Sequence, residues 1–258
     1  MRYRKHLKRI GTRKLFGMMN AFLLQHNFQI GRDAMFDLLS ERGLLVRKRK
    51  RSGCVTTFSK HRFKKYPNII RDFVPNAPNQ LWVSDITYIH LADGFAYLSL
   101  ITDAYSRKIV GFYLSKDLSA RGPLNALKMA IKTNHSIAGL IHHSDRGVQY
   151  CCDAYVKLLT DEKIKISMTE NGDPLENAIA ERVNGILKQE LLEEVFPDFI
   201  TASNHVAIAC STYNHIRPHG SIDDLKPAEA HQMTGTINKR WKNYYQINKK
   251  RKEQEMMV

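Results

Sequence analysis

Three segments rich in β-branched and aromatic residues follow one another almost without pause, "LWVSDITYIHL", "FAYLSLITDAY" and "KIVGFYLS", with only "ADG" and "YSR" as turn material between them. Connections this short join antiparallel neighbours, so residues 81–115 are expected to form a three-stranded meander. The pattern then changes. "ARGPLNALKMAIKTN" reads as a helix, "GLIHHS" as a short buried strand, "CCDAYVKLLTDEK" as a helix and "IKISMT" as a further strand. A long helix, roughly Pro174 to Val195, is expected after "ENGDP", and a last one around "NHVAIACSTYNH". A meander followed by alternating helices and strands implies one mixed five-stranded α/β sheet flanked by helices.

Ahead of the sheet the chain reads differently. Leu15, Met18, Met19, Phe22 and Leu23 fall at three-and-four spacing after "IGTRK", and "RDAMFDLLSERG" reads as a second short helix closed by Gly43. Two short helices joined by a turn are compatible with a helix-turn-helix, and equally with any small helical hairpin. A basic run follows, with Lys48, Arg49, Lys50 and Arg51, and then "FSKHRFKKYP", where Phe58, Phe63 and Tyr66 interleave with cations that include Lys64 and Lys65. Aromatics among cations suit a surface that tracks a nucleic-acid strand, and a solvated linker is the competing reading. Pro75 and Pro78 mark a boundary near residues 72–79. The expected division is a basic helical DNA-binding region with its linker at 1–71, a core at 72–235 and a basic tail at 236–258.

Charge follows that division. Residues 1–70 hold 18 Lys and Arg against 3 Asp and Glu, residues 71–235 hold 15 against 20, and residues 236–258 hold 7 against 2. Basic flanks around an acidic centre suit an enzyme that neutralises phosphates at its edges and gathers carboxylates in its middle. No apolar run approaches the ~20 residues of a membrane span, and "MRYRKHLKRI" lacks the apolar stretch of a signal peptide, so a cytoplasmic, nucleoid-associated protein is expected. Cys54, Cys151, Cys152 and Cys210 form no CxxC pair, which argues against a disulfide framework or a zinc site.

Two acids stand where acids are disfavoured. Asp85 falls in the middle of the first strand, and Asp145 ends the fourth, with Arg146 and Gly147 turning the chain away. A strand-edge bulge, a lone salt bridge or a cap would account for either one alone. The long helix offers two further carboxylates. Asp173, Pro174 and Glu176 read as a helix start, which gives Glu176 a capping role. Glu181 lies nearly two turns further in, behind the small residues of "NAIA", and Lys188 returns to its face seven positions later. Three acids held together repel unless divalent cations neutralise them, and all-oxygen ligands suit Mg²⁺ or Mn²⁺. Two such ions serve in-line displacement at a phosphodiester.

"WVSDITYI", "HSDRGVQY" and "NGDPLENAIAERVNGILKQEL" together resemble the catalytic core of bacterial insertion-sequence transposases, members of the retroviral integrase superfamily. The resemblance covers residues 75–232 and includes the closing "STYNHIRPHGSIDDLKPAEA". It implies a ribonuclease-H-like fold and an Asp-Asp-Glu triad of Asp85, Asp145 and Glu181. Thirty-five residues separate the last two, as in the family, and Lys188 matches the basic residue that follows the glutamate. It further implies metal-dependent cleavage and strand transfer on double-stranded DNA, a homo-oligomer on paired ends, and DNA contacts from Lys188, Arg146 and the basic residues of the flank. The chain is similar to a second-frame product, whose end-recognition domain is often added by frameshifting. The zinc-binding domain of retroviral integrases has no counterpart in residues 1–70. A non-catalytic DNA-binding descendant and a nuclease that uses only water remain the alternatives. His142 and His143 could orient the site or simply pack, Pro218 argues against a zinc pair at His215 and His219, and Trp82 is expected in the core.

Overall fold

The computed structural model describes residues 3–47, 49, 61–134, 137–170 and 177–238. The expectations for Lys48, Lys50, Arg51, Cys54, Phe58, the Asp173–Glu176 cap and the basic tail beyond Asn238 lie outside the described residues.

The strand pattern forms the expected sheet. β1 (Leu81–Leu91), β2 (Gly94–Asp103) and β3 (Ile109–Ser115) are an antiparallel meander, while β4 (Ile141–Ser144) and β5 (Lys165–Met168) add in parallel on the far side of β1. The order is β3-β2-β1-β4-β5, which makes β1 the centre of the sheet. Successive side chains of a strand point to opposite faces. Trp82 and Ile86 therefore pack on one side with Ala126, Leu127, Tyr155 and Leu159 from α3 (Arg121–Thr133) and α5 (Asp153–Asp161). Ile89 packs on the other with Val183, Ile186, Val206 and Tyr213 from α6 (Ala178–Ile186) and α7 (Phe199–His215). Trp82 is fully buried, as expected. Gly111 lets α3 lie against β3, because a Cβ there would run into the Ala126 carbonyl oxygen and the Ala130 side chain.

Several helix boundaries depart from expectation. "CCDAYVKLLTDEK" divides at Cys152, whose extended ψ of 149° separates α4 (Val148–Cys151) from α5. The long helix does not reach Val195. After α6 the chain closes a π-helical turn, Leu187–Leu191, through the Leu192 N–H to the Leu187 carbonyl at 2.8 Å. It then extends, so that Phe196 is buried and exchanges backbone hydrogen bonds with His90 and Ala92 at the end of β1. That strand-like exchange competes with further helix and ends it. α7 begins at Phe199, earlier than the sequence pattern suggests, because Asp198 caps it by accepting from the Thr201 N–H at 2.8 Å.

The amino-terminal segment packs onto this core. Leu15 of α1 (Thr12–Gln25) and Met35 and Leu39 of α2 (Arg32–Glu41) form a small cluster with Leu7 and Ile10 from the chain before them, and Leu191 and Ile216 of the core pack against it. Residues 66–71 run along the sheet edge, where the Pro67 carbonyl accepts from the Met168 N–H and the Ile69 N–H donates to Ser167 Oγ. Among the described residues no helix is long and apolar enough to cross a membrane. Cys151, Cys152 and Cys210 are free thiols.

Candidate active site

Asp85 sits midway along the central strand, opposite Leu100 of β2, on the face that α6 covers. β4 runs parallel to β1 with Trp82 level with His142 and Val83 with His143. Two more residues of that register bring the chain to Asp145 beside Asp85. β4 ends at Ser144, so Asp145 occupies the strand's carboxyl end, where an open α/β sheet leaves room for a ligand. The turn is fixed by Asp145 Oδ1, which accepts from the Gly147 N–H at 2.9 Å.

Burial pushes the Asp85 carboxyl up to about 7, and the Asp145 charge adds to that, with a smaller contribution from Glu181. Opposing hydrogen bonds reach both oxygens, from the Ile86 N–H at 2.9 Å and from Asn184 Nδ2 at 2.7 Å. Two aspartates thus share one small region in which at least one is reluctant to ionise. Glu181 stands in the first turn of α6 as described, and its side chain is exposed. Partial burial raises its pKa also. Among the described residues no three acidic, imidazole or thiol groups converge tightly enough to share one ion. The aspartates form the near pair, and Glu181 stands over them from the helix.

That helix is tied to β1 by a polar stripe. Asn177, which precedes α6, donates from Nδ2 to the Ser84 carbonyl at 2.9 Å. Asn184 holds Asp85, and Lys188 Nζ lies 3.4 Å from Thr87 Oγ1. Residues 177, 181, 184 and 188 recur at four-and-three spacing and so share one helix face. Sequence reasoning found Glu181 and Lys188 on that face and missed both asparagines. The signal was there, since polar residues recurring at every turn on a helix face that packs on a sheet need polar partners wherever they are buried, as Asn177 and Asn184 are.

His142 and His143 are both buried in the sheet. His142 Nε2 sits between Ser84 Oγ at 2.7 Å and Tyr155 OH at 2.9 Å, and burial lowers its pKa to about 3, which keeps it neutral. His143 Nδ1 meets Ser167 Oγ at 2.9 Å and ties β4 to β5. His215 is exposed and His219 is buried.

The basic candidates part company. Lys64 and Lys65 are exposed, with Lys64 Nζ 5.2 Å from the centre of the Tyr66 ring. The Lys65 charge is felt at the Cys151 thiol, which Asp145 also influences. Arg146 is half-buried, donating from Nη1 to the Glu170 carbonyl at 3.1 Å. Phe63 and Tyr66 are half-buried and pack against the core cluster to which α3 and α5 contribute. Arg49 turns inward and donates from Nη1 to the Lys188 and Leu192 carbonyls, each at 2.7 Å. Arg217, of the closing "RPH", is fully buried and clasps Glu190 through Nε at 2.9 Å and Nη2 at 2.8 Å.

Two integrase core domain families match this chain, over residues 75–174 and 162–227, a span that contains Asp85, Asp145 and Glu181. An uncharacterised 31 kDa protein of insertion element IS600 from Shigella sonnei is 34% identical over 87% of this chain and 85% of its own length. A putative transposase for insertion sequence element IS986/IS6110 from Mycobacterium tuberculosis is 30% identical over 85% of this chain and 80% of its own.

The chain belongs to the insertion-sequence transposase family.

In fold the transposase is similar to a chain of a simian T-cell lymphotropic virus intasome, with a TM-score of 0.53 at 19% identity over 90% of this chain and 79% of that one. The expected ribonuclease-H-like fold is therefore the observed one, with the meander, the parallel additions and the covering helices in the expected order.

Proposed function

We propose that this transposase performs both chemical steps, end cleavage and strand transfer, at one site formed by Asp85, Asp145 and Glu181. The observation that carries the reading is the pairing of Asp85 with Asp145 beneath the helix that bears Glu181, with Asn184 fixing one Asp85 oxygen. Crowded carboxylates of this kind fit a hard divalent cation, Mg²⁺ or Mn²⁺, because all the donors are oxygens and their mutual repulsion is relieved by positive charge. Bound there, one or two such ions supply the Lewis acidity for in-line displacement at a phosphodiester.

The chain's own groups do the positioning. Asn184 and the Ile86 N–H orient the Asp85 carboxylate, and the Asp145 turn is held by Gly147. Lys188, on the face of Glu181, offers a point charge to a phosphate of the bound end, and Arg146, Lys64 and Lys65 supply further phosphate contacts on the Asp145 side. Water attacks the phosphodiester at the element end, and the 3′-oxygen leaves as a hydroxyl. That hydroxyl then attacks a target phosphodiester and displaces its 3′-oxygen, with no covalent protein intermediate. Holding both ends for joining requires more than one copy of the chain on double-stranded DNA.

Incubation of labelled element ends with a plasmid target and Mg²⁺ tests this reading. Joined product is expected. Hydrolysis without joining would favour the nuclease reading, and DNA binding without either reaction would favour the inactive descendant.

The charge state of Asp85 adds a prediction. Its carboxyl is held near 7 in the folded chain against 3.8 as the ordinary value, so the folded state binds the extra proton between these limits. This group therefore stabilises the metal-free fold least at high pH, and its contribution falls as pH rises from about 4 to about 7. Asp85→Asn removes that dependence. In thermal unfolding without metal, Asp85→Asn is expected to melt above wild type at pH 8 and to lose most of that advantage at pH 5. Added Mg²⁺ should raise the wild-type midpoint at pH 8 more than that of the variant. Equal responses would show that the cation binds elsewhere.

A further inference from the structure

The carboxyl end of the catalytic helix is held by residues from the amino-terminal segment. A π-helical turn shifts its backbone hydrogen bonds by one residue, and this one closes from the Leu192 N–H to the Leu187 carbonyl at 2.8 Å. The carbonyls of Lys188, Gln189 and Leu192 take arginine donors instead. Arg49 Nη1 reaches Lys188 and Leu192, and Arg9 Nε reaches Gln189 at 3.0 Å. The Arg49 Nε also lies 2.8 Å from Glu194 Oε1, and only 12% of its side chain is exposed. One guanidinium nitrogen thus bridges two carbonyls while Nε stands in ion-pair contact with a carboxylate, at the negative end of the helix dipole.

We infer that Arg49 is a positioning residue for strand transfer, one that sets Lys188 against β1 by fixing the Lys188 main chain, and that it does not contact DNA. The inference rests on the reading of Lys188 as a phosphate ligand. Lys188 projects from this turn towards Thr87, two residues beyond Asp85, so a shift of the turn moves the ammonium relative to the acids. Arg9 acts on the neighbouring carbonyl of the same turn. A surface arginine that met phosphates would be replaceable by lysine. An arginine that forks between carbonyls and a carboxylate would not, since an ammonium on a flexible stem cannot hold that planar geometry.

The test is a double-mutant cycle in joining rate at saturating DNA, with Arg49→Ala, Arg49→Lys, Lys188→Ala and the Arg49→Ala/Lys188→Ala pair. Lys188→Ala and both Arg49 variants are expected to slow joining, the latter about tenfold, in line with loss of charge-assisted hydrogen bonds. In the Lys188→Ala background Arg49→Ala should cost nothing more. The slope of log K against log salt for DNA binding should be unchanged by Arg49→Lys. Restored joining by Arg49→Lys overturns the inference. So does a fall of roughly 0.9 in the slope with Arg49→Ala while Lys188→Ala leaves it unchanged, the mark of a direct phosphate contact. Slow joining by Lys188→Ala with a full further loss from Arg49→Ala overturns the inference and leaves the reading of Lys188 intact. Wild-type joining by Lys188→Ala sinks that reading first, and the inference with it. Thermal unfolding checks the fold of each variant, and Arg9→Lys, which disturbs the Gln189 contact and the Nη2 bond to the Arg47 carbonyl but leaves Arg49 in place, should slow joining in the same direction if the Arg49 variants prove unstable. Wild-type joining by a folded Arg9→Lys would then count against the inference.

Discussion

Asp85→Asn, Asp145→Asn and Glu181→Gln are each expected to abolish cleavage and joining, by several orders of magnitude, while the folded chain still binds DNA. Each change removes one negative charge and, on the function proposed above, one metal ligand from a site that places charge beside a phosphodiester. None removes a large packing group. Asp85 and Asp145 each accept a local backbone N–H, from Ile86 and Gly147, which an asparagine oxygen can also accept. Glu181 is exposed, so its replacement should cost little stability. Assays with labelled ends, alongside DNA-binding curves and thermal unfolding, separate loss of chemistry from loss of fold. An active Glu181→Gln with an inactive Glu176→Gln would move the third carboxylate to Glu176.

Arg217→Ala is expected to have the largest effect on stability and none specific to chemistry. Its guanidinium is fully buried, lies 5.9 Å from the centre of the Tyr213 ring and clasps Glu190 with two nitrogens. Lys14 Nζ adds a weaker contact to the same carboxylate at 3.5 Å. Removing one partner of such a buried pair costs about 3–5 kcal/mol. For a chain of this size that lowers the unfolding midpoint by roughly 10 °C. Arg217→Lys should recover only part of the loss, because one ammonium cannot repeat the two-point contact. A wild-type midpoint together with weakened DNA binding would instead place Arg217 on the DNA surface. The contact also explains the burial of Lys14. Its ammonium is lowered to about 8, chiefly by burial and then by Arg217, with Glu190 opposing both.

The strands were legible because their cause is local. "LWVSDITYIHL" coincides with β1 from Leu81 to Leu91, since alternation and β-branching act over a few residues and the turns on either side are short. Asp85 was legible for the same reason, as an acid inside a strand pattern that had no use for one. The helix ends were less so. Nothing local to "KQELLEEVF" announces that Phe196 will pair with the end of β1, so the pattern suggested a helix running to Val195 where the chain leaves it at Leu191.

The fate of the cations was the least legible part. Arg49, Arg217 and Lys64 are alike in a charge count, yet the first forks onto carbonyls, the second onto a buried carboxylate, and the third faces solvent. A guanidinium satisfies a phosphate, a carboxylate or a backbone carbonyl with the same donors, so its partner is set by what the fold brings near it. Arg49 and Lys188 are 139 residues apart in the chain, and Asp85 and Asn184 are 99 apart. Sequence by itself determined the strands, the sheet class and the acids that a sheet of this kind would not otherwise carry, because periodicity and polarity act between near neighbours. Only the tertiary structure decided which arginines hold the turn after α6 and which asparagine holds Asp85, because those partners meet only when the parallel register of β4 and the packing of α6 on β1 close the chain over distances that no local pattern records.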